Sequence, residues 1–385
     1  MAELIPLQVD TYVSPPIKTA TGLADPQKQW WQPITSTLIH GPASAVLVDP
    51  PITSAQAEAV GEWVDSILSL YPDKKLRYIY ITHAHGDHYF GASIIQKRFA
   101  GVEVLATAKV VAGIEVMNSP AVYNVWAGLF PDGQLPEDKV LPQALPESNE
   151  FRLDGELLKA YDVSSDCEKS SFLHVPSIAL IVGGDVVYGD CHQHLGEANS
   201  IEKRQRWLDA LELIESLEPN VVIPGHKRSS QSDGRYLVNA TRKYIQDFAR
   251  WGDEIKSDDS IDDVRKPDAL FTRVKQASPY HPLRSGADQI AILSFIMDAA
   301  LSFLPVVHNH LFFDAVAAFA SLDFSLRVFT PLVNINNWHH REAINHQAGA
   351  SRTYSESRVW GEEGNMVVAM SQLSILRTEA DKTKL

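Results

Sequence analysis

Between residues 83 and 88 the chain reads His83-Ala84-His85-Gly86-Asp87-His88, three imidazoles and one carboxylate within six residues. Imidazole nitrogen and carboxylate oxygen are the ligands that Zn²⁺ and similar borderline divalent ions take. On an extended segment His83 and His85, two residues apart, converge on one cation. Asp87 and His88, at the opening of a helical turn, point at a second cation nearby. The residues before the cluster, Leu76-Arg77-Tyr78-Ile79-Tyr80-Ile81, are rich in β-branched and aromatic types and predict a buried strand. Tyr89 to Phe99 predicts an amphipathic helix. The cluster is therefore expected on a loop at the carboxyl end of a strand, where open α/β sheets place their chemistry.

The segment resembles the HxHxDH signature of the metallo-β-lactamase-fold hydrolases, and the resemblance covers about residues 5–250. It implies an αββα sandwich with one or two metal ions at its edge, Zn²⁺ first among them and another divalent ion as an alternative. Two later strand ends gain a role from it. The apolar run Ile178 to Val182 enters Gly183-Gly184-Asp185, which looks like the family's strand-ending Gly-Asp. That carboxylate bridges two metals, a task suited to a group with two oxygens. Val221-Val222-Ile223-Pro224-Gly225-His226 resembles the last ligand motif and implies a metal-binding His226. Asp49, closing the run Ser44 to Val48, is expected to support the metal loop or simply to end its strand.

One motif departs from the family pattern. The segment Val163 to Ser171 has no histidine; Ser164 stands where the family has its third imidazole, and Asp166 follows two residues later. A hydroxyl is a poor Zn²⁺ ligand, so either Asp166 substitutes or the first site has only His83 and His85 as strong ligands. Cys167 reads as a small buried side chain. His192 has two readings, a contact to a substrate carbonyl or carboxylate and a loop imidazole bonded to backbone.

The surrounding pattern alternates strands and helices, which argues for a layered α/β domain. Ser36 to Gly41 and Ser44 to Asp49 predict a hairpin, Ser54 to Leu70 a helix and Val102 to Thr107 a strand. Residues 109–150 read as a packed insertion, or as a lid or substrate wall. Further strands are expected near 151–163, 172–176 and 178–182, and helices at Ile201 to Leu217 and Tyr236 to Trp251.

The composition then changes. Residues 1–251 are expected as the hydrolase domain, the Asp-rich 252–267 as an acidic linker and 268–385 as a second domain. Gln289 to Phe303 predicts an apolar helix carrying Asp298, followed by four strands between 317 and 376. This part resembles the second half of the type II acyl-CoA thioesterases, a double hot-dog family, over about residues 268–377. The resemblance implies a partial α+β hot-dog domain in which Asp298, Ser321 and Gln372 orient a water against a thioester. An ionisable Asp inside an apolar helix is costly unless paired, which singles out Asp298 independently. With one hot-dog half present, association into a homo-oligomer is expected.

With a net charge of −14 and no Lys/Arg cluster, the composition speaks against nucleic acid. Two cysteines make a disulfide framework unexpected. No membrane span and no signal segment are read from the chain, and a cytoplasmic location is expected. The expected function is a metal-dependent hydrolase of a small-molecule carbonyl substrate, whether lactone, lactam, ester or thioester. Asp87 or Asp185 would orient the water. The rival expectations are an acyl-CoA thioesterase centred on the C-terminal triad and a metal-binding module without catalysis.

Overall fold

The strands Ile34–His40, Ser44–Val48 and Ser170–Val175 are buried along their whole length, which places apolar layers on both of their faces. The computed structural model describes residues 7–20, 29–71, 73–277, 316–329, 340–349, 352–361 and 364–378. Its chain divides into two units, Met1–Tyr280 and His281–Leu385.

In the first unit a six-stranded sheet runs in the order Gln8–Ser14, Ile34–His40, Ser44–Val48, Lys75–Tyr80, Glu103–Ala106, Gln143–Ala144. Its first two pairings are antiparallel and the others parallel. A five-stranded sheet follows the order Val221–Ile223, Leu180–Val182, Ser170–Val175, Glu156–Val163, Glu150–Leu153, with only the first pair parallel. Alternation along each strand then sorts the side chains. Ile39, Val46, Tyr80 and Leu105 of the first sheet meet Leu158, Leu173, Val175 and Val182 of the second in one core. Leu38, Leu47 and Ile79 face the other way, onto Val60 and Val64 of the helix Ser54–Leu68 and Ile95 of the helix Ala92–Arg98. Phe172, Ile181 and Val222 face Trp207, Leu211 and Ile214 of the helix Ile201–Ser216. The four layers are therefore helix, sheet, sheet, helix, an αββα sandwich.

Local chemistry fixes the helix ends. Thr53 and Gln56 form a capping box at the start of Ser54–Leu68. The helix expected over 89–99 is shorter, Ala92–Arg98, and a 3₁₀ turn at Gly86–His88 precedes it. The stretch 109–150, poorly legible in sequence, contains the helices Ala108–Met117 and Pro120–Leu129. The segment 252–267 is partly helical, since Tyr236–Lys256 runs past Trp251 and Lys266–Ala277 begins within it.

In the second unit four antiparallel strands lie in the order Val316–Val328, Met366–Thr378, Arg352–Trp360, His340–Gly349. Val359, Val367, Val368 and Met370 form its described core. Asp298 and the helix expected over 289–303 lie outside the described residues.

Candidate metal centre

Five strands of the first unit deliver their carboxyl ends to one edge of the sandwich. Asp49 follows Ser44–Val48, the His83–His88 cluster follows Lys75–Tyr80, and Asp166 follows Glu156–Val163. Asp185 follows Leu180–Val182, and His226 follows Val221–Ile223. Two isolated bridges, His83 to Ser170 and Tyr188 to His226, stitch these loops together. Gly225 permits the close approach, because a Cβ there would collide with Asp185 Oδ1. Gly184 adopts φ +49°, and its Cβ would strike Thr82 Oγ1.

Four overlapping groups of potential ligand atoms result among the described residues, and two of them hold the residues expected from the motifs. His83, His85, Asp166 and Asp185 offer atoms within 4.8 Å of one another, and so do Asp87, His88 and His226. Asp185 lies between the groups. Its Oδ1 is 3.2 Å from His88 Nε2, and its Oδ2 is 3.2 Å from His226 Nε2 and 3.9 Å from His83 Nε2. Asp87 Oδ2 is 3.5 Å from His226 Nε2 and 3.7 Å from His88 Nε2. In the gap left by the absent third histidine, Asp166 places Oδ2 3.0 Å from His85 Nδ1.

Supporting bonds turn the ring nitrogens inward. Asp49 accepts from Thr82 Oγ1 at 2.6 Å and from Thr82 N at 2.9 Å. The Thr82 hydroxyl, already donating to Asp49, accepts from His83 Nδ1 at 3.0 Å, which leaves His83 Nε2 as a lone-pair donor. His88 Nδ1 lies 3.1 Å from Asp49 Oδ2, and His226 Nδ1 lies 2.7 Å from the Pro33 carbonyl. Trp31 Nε1 donates to Asp87 Oδ2 at 2.9 Å. The Tyr188 hydroxyl donates to Asp185 Oδ2.

The set fits a divalent cation. His83 Nε2 is buried without a hydrogen-bond partner, and the buried Asp166 Oδ2 and Asp185 Oδ1 lie beside imidazole nitrogens that can themselves turn lone pairs to an ion, an arrangement that a bound cation relieves.

A family comparison covers the same residues. The pattern described as the metallo-beta-lactamase superfamily matches residues 30–226, just over half of the chain. The chain belongs to the metallo-beta-lactamase superfamily. A second pattern, described as the acyl-CoA thioesterase C-terminal domain, matches residues 249–376, beginning earlier than the boundary at 268 read from the sequence. Among solved structures, a metallo-beta-lactamase from Pontibacter korlensis is similar at 17% identity, with 63% of this chain and 95% of that one covered and a TM-score of 0.44. A metallo-beta-lactamase family protein from Thermus thermophilus is similar at 17% identity, covering 63% and 81%, with a TM-score of 0.47. No curated protein matches the chain.

Within this metallo-beta-lactamase domain the electrostatics are divided. Burial drives His83 far below the usual imidazole range, and the neighbouring His88 pushes the same way. Burial also opposes a charged His88, but the Asp185 and Asp87 carboxylates outweigh it and lift His88 to about 10. For Asp185 burial disfavours ionisation, yet His226, His88 and His83 outweigh it and hold the carboxyl well below its ordinary range. Protons and a cation therefore compete for the same imidazoles.

The cluster opens into a cavity of about 440 Å³. Sequence reasoning missed several of its residues. Trp31 and Tyr188 hold the Asp87 and Asp185 carboxylates, while Glu197 lies 3.0 Å from His85 Nε2. The residues lining this cavity include His194 and not His192. His192 lines an adjoining cavity of about 550 Å³, with its Nδ1 3.2 Å from the Tyr244 hydroxyl. Buried Cys167 packs its Sγ 3.3 Å from Ser170 Oγ, and burial pushes its thiol up to about 12. In the second unit Ser321 lies on Val316–Val328, opposite Ser374, and Gln372 is buried on Met366–Thr378. Among the described residues no helix is long and apolar enough to cross a membrane.

Proposed function

We propose that the first unit is a metal-dependent hydrolase of a small carbonyl substrate, a lactone, lactam, ester or thioester. The observation that carries this reading is the convergence of His83, His85, Asp166 and Asp185 beside Asp87, His88 and His226 on a buried cavity floor. We assign the first four to one cation and Asp87, His88 and His226 to a second, with Asp185 shared; Zn²⁺ suits this mixed nitrogen and oxygen set. A bound cation supplies Lewis acidity and brings the pKa of a bound water toward neutrality.

The chain's own groups do the remaining work. Asp87 and Asp185 are the carboxylates placed to orient an attacking water and take its proton. The Trp31 indole N–H fixes Asp87, and the Tyr188 hydroxyl fixes Asp185. The test is a panel of esters, lactones, lactams and thioesters with and without chelator, read beside metal content. Metal bound with no hydrolysis would leave a binding module, and hydrolysis indifferent to chelator would overturn the reading.

The match over 249–376 favours a second activity, acyl-CoA thioester cleavage by Asp298, Ser321 and Gln372. Chelator-insensitive cleavage of acyl-CoA that is lost with Asp298 would support it. We also propose that this unit pairs with a second copy of the chain, which would cover the exposed Leu322 and Phe329.

A further inference from the structure

The lining of the metal cavity is of two kinds. His85, Asp87, Asp185 and His226 belong to the metal cluster, whereas Val122, Val125, Trp126 and Leu129 come from the helix Pro120–Leu129 and are joined by Trp30 and Trp31. That helix reads PAVYNVWAGL, carries no charged residue and buries none of its side chains. Val125 is 64% exposed. One face of the helix, with the partly buried Tyr123, Trp126, Ala127 and Leu129, packs on the core, while Val125 stays open at the cavity; apolar surface left open beside a reaction centre marks a place for a ligand. The wall is preformed. The Trp126 ring meets Trp31 edge-on at 5.2 Å and stacks on Phe130, and its indole N–H points to the Met117 thioether at 3.0 Å.

Charge narrows the ligand further. No lysine or arginine is among the described residues lining this cavity, and the acidic group beyond the metal carboxylates is Glu197, half-exposed. Within this cavity a remote carboxylate or phosphate on a substrate would meet Glu197, and the Arg228 guanidinium lines the adjoining cavity instead.

We propose that the metal centre acts on a neutral carbonyl compound with an apolar chain, such as a medium-chain ester or lactone. The chain lies along Val122, Val125 and Trp126. Carboxylate-bearing lactams and coenzyme A thioesters are selected against. This rests on the hydrolase reading above and names its substrate class.

The test uses the zinc-loaded full chain. Chelator-sensitive hydrolysis is measured for p-nitrophenyl butanoate, hexanoate and octanoate and for octanoyl-CoA. Binding of the neutral amide octanamide is followed separately by intrinsic tryptophan fluorescence. Each methylene buried on the wall lowers KM by up to about fourfold. KM should therefore fall along the ester series, and the octanoate ester should exceed octanoyl-CoA in kcat/KM. Val125→Asp, at an exposed position, should flatten the series and weaken octanamide binding while metal content stays unchanged. A KM independent of chain length, or a preference for octanoyl-CoA in the chelator-sensitive activity, overturns the proposal. If no member of the ester, lactone, lactam and thioester panel is cleaved, the hydrolase reading falls and octanamide decides the wall by itself. Saturable quenching weakened by Val125→Asp supports it, and absence of quenching overturns it.

Discussion

His85 Nδ1 and Asp166 Oδ2 stand 3.0 Å apart, with Asp166 Oδ1 held by the Ser165 hydroxyl and the Cys167 amide at 2.8 Å each. One carboxylate oxygen is anchored and the other is presented. Asp166 thus reaches from a loop two residues beyond the position where the family has an imidazole, and it does so with a fixed orientation.

Asp166→Ala should remove about one equivalent of metal and leave the Asp87, His88 and His226 group loaded. Metal analysis by mass spectrometry after gel filtration checks this. Unchanged stoichiometry and affinity would return Asp166 to the status of a loop residue.

The zinc-loaded chain should carry one to two ions, and chelation should lower its melting temperature. An ion bound only by the folded state at about 100 times its Kd contributes about 2.7 kcal/mol. Acid should release the metal, because imidazoles bind it only when neutral and protons compete as pH falls. Calorimetry with and without chelator, at two pH values, reads both effects. Metal content near zero after reconstitution would remove the basis of the hydrolase reading.

His226→Ala should abolish hydrolysis with the fold retained, since the ring serves the cluster rather than the apolar layers. Its loss should weaken metal binding by more than the ~10–100-fold that losing a supporting partner costs. Full activity in this variant would mean that His226 has another role.

Asp49→Asn keeps the shape and tolerates the φ of 55° at this position, since Asn is among the residues that adopt left-handed backbone. It removes the charge that holds His88 Nδ1 and Thr82. Metal affinity should drop by roughly 10–100-fold while circular dichroism stays unchanged. Unaltered affinity would reduce Asp49 to a turn residue.

Asp298→Ala should leave chelator-sensitive hydrolysis intact and remove any chelator-insensitive thioesterase activity. Light scattering of the same preparations should report a mass above that of one chain. Leu322 is 48% and Phe329 56% exposed at the strand Val316–Val328 and the residue that follows it, apolar surface that a second copy would cover. A strictly monomeric chain whose sole hydrolysis disappears with Asp298 would place the working site in the second unit.

The sequence by itself determined the strand–loop–helix setting of His83 to His88, the strand ends that carry Asp185 and His226, and the αββα layering. The strand–loop–helix setting follows from short-range periodicity, which local propensity and burial enforce residue by residue, while the αββα layering and the two strand ends came through the resemblance of their motifs to the metallo-β-lactamase fold. Its reading stopped at residues 109–150, where Trp126, Phe130 and several prolines left packed insertion and substrate wall both open. Only the tertiary structure decided which groups support the ligands. Trp31 reaches Asp87 across 56 positions, Pro33 reaches His226 across 193, and Glu197 reaches His85 across 112. It also brought His194 rather than His192 into the cavity lining, and it put Asp166 beside His85 where the motif alone left the position open. The physical reason is common to these cases. Such contacts join loops at the edges of two packed sheets, so they depend on how the sheets meet, which no local pattern along the chain encodes.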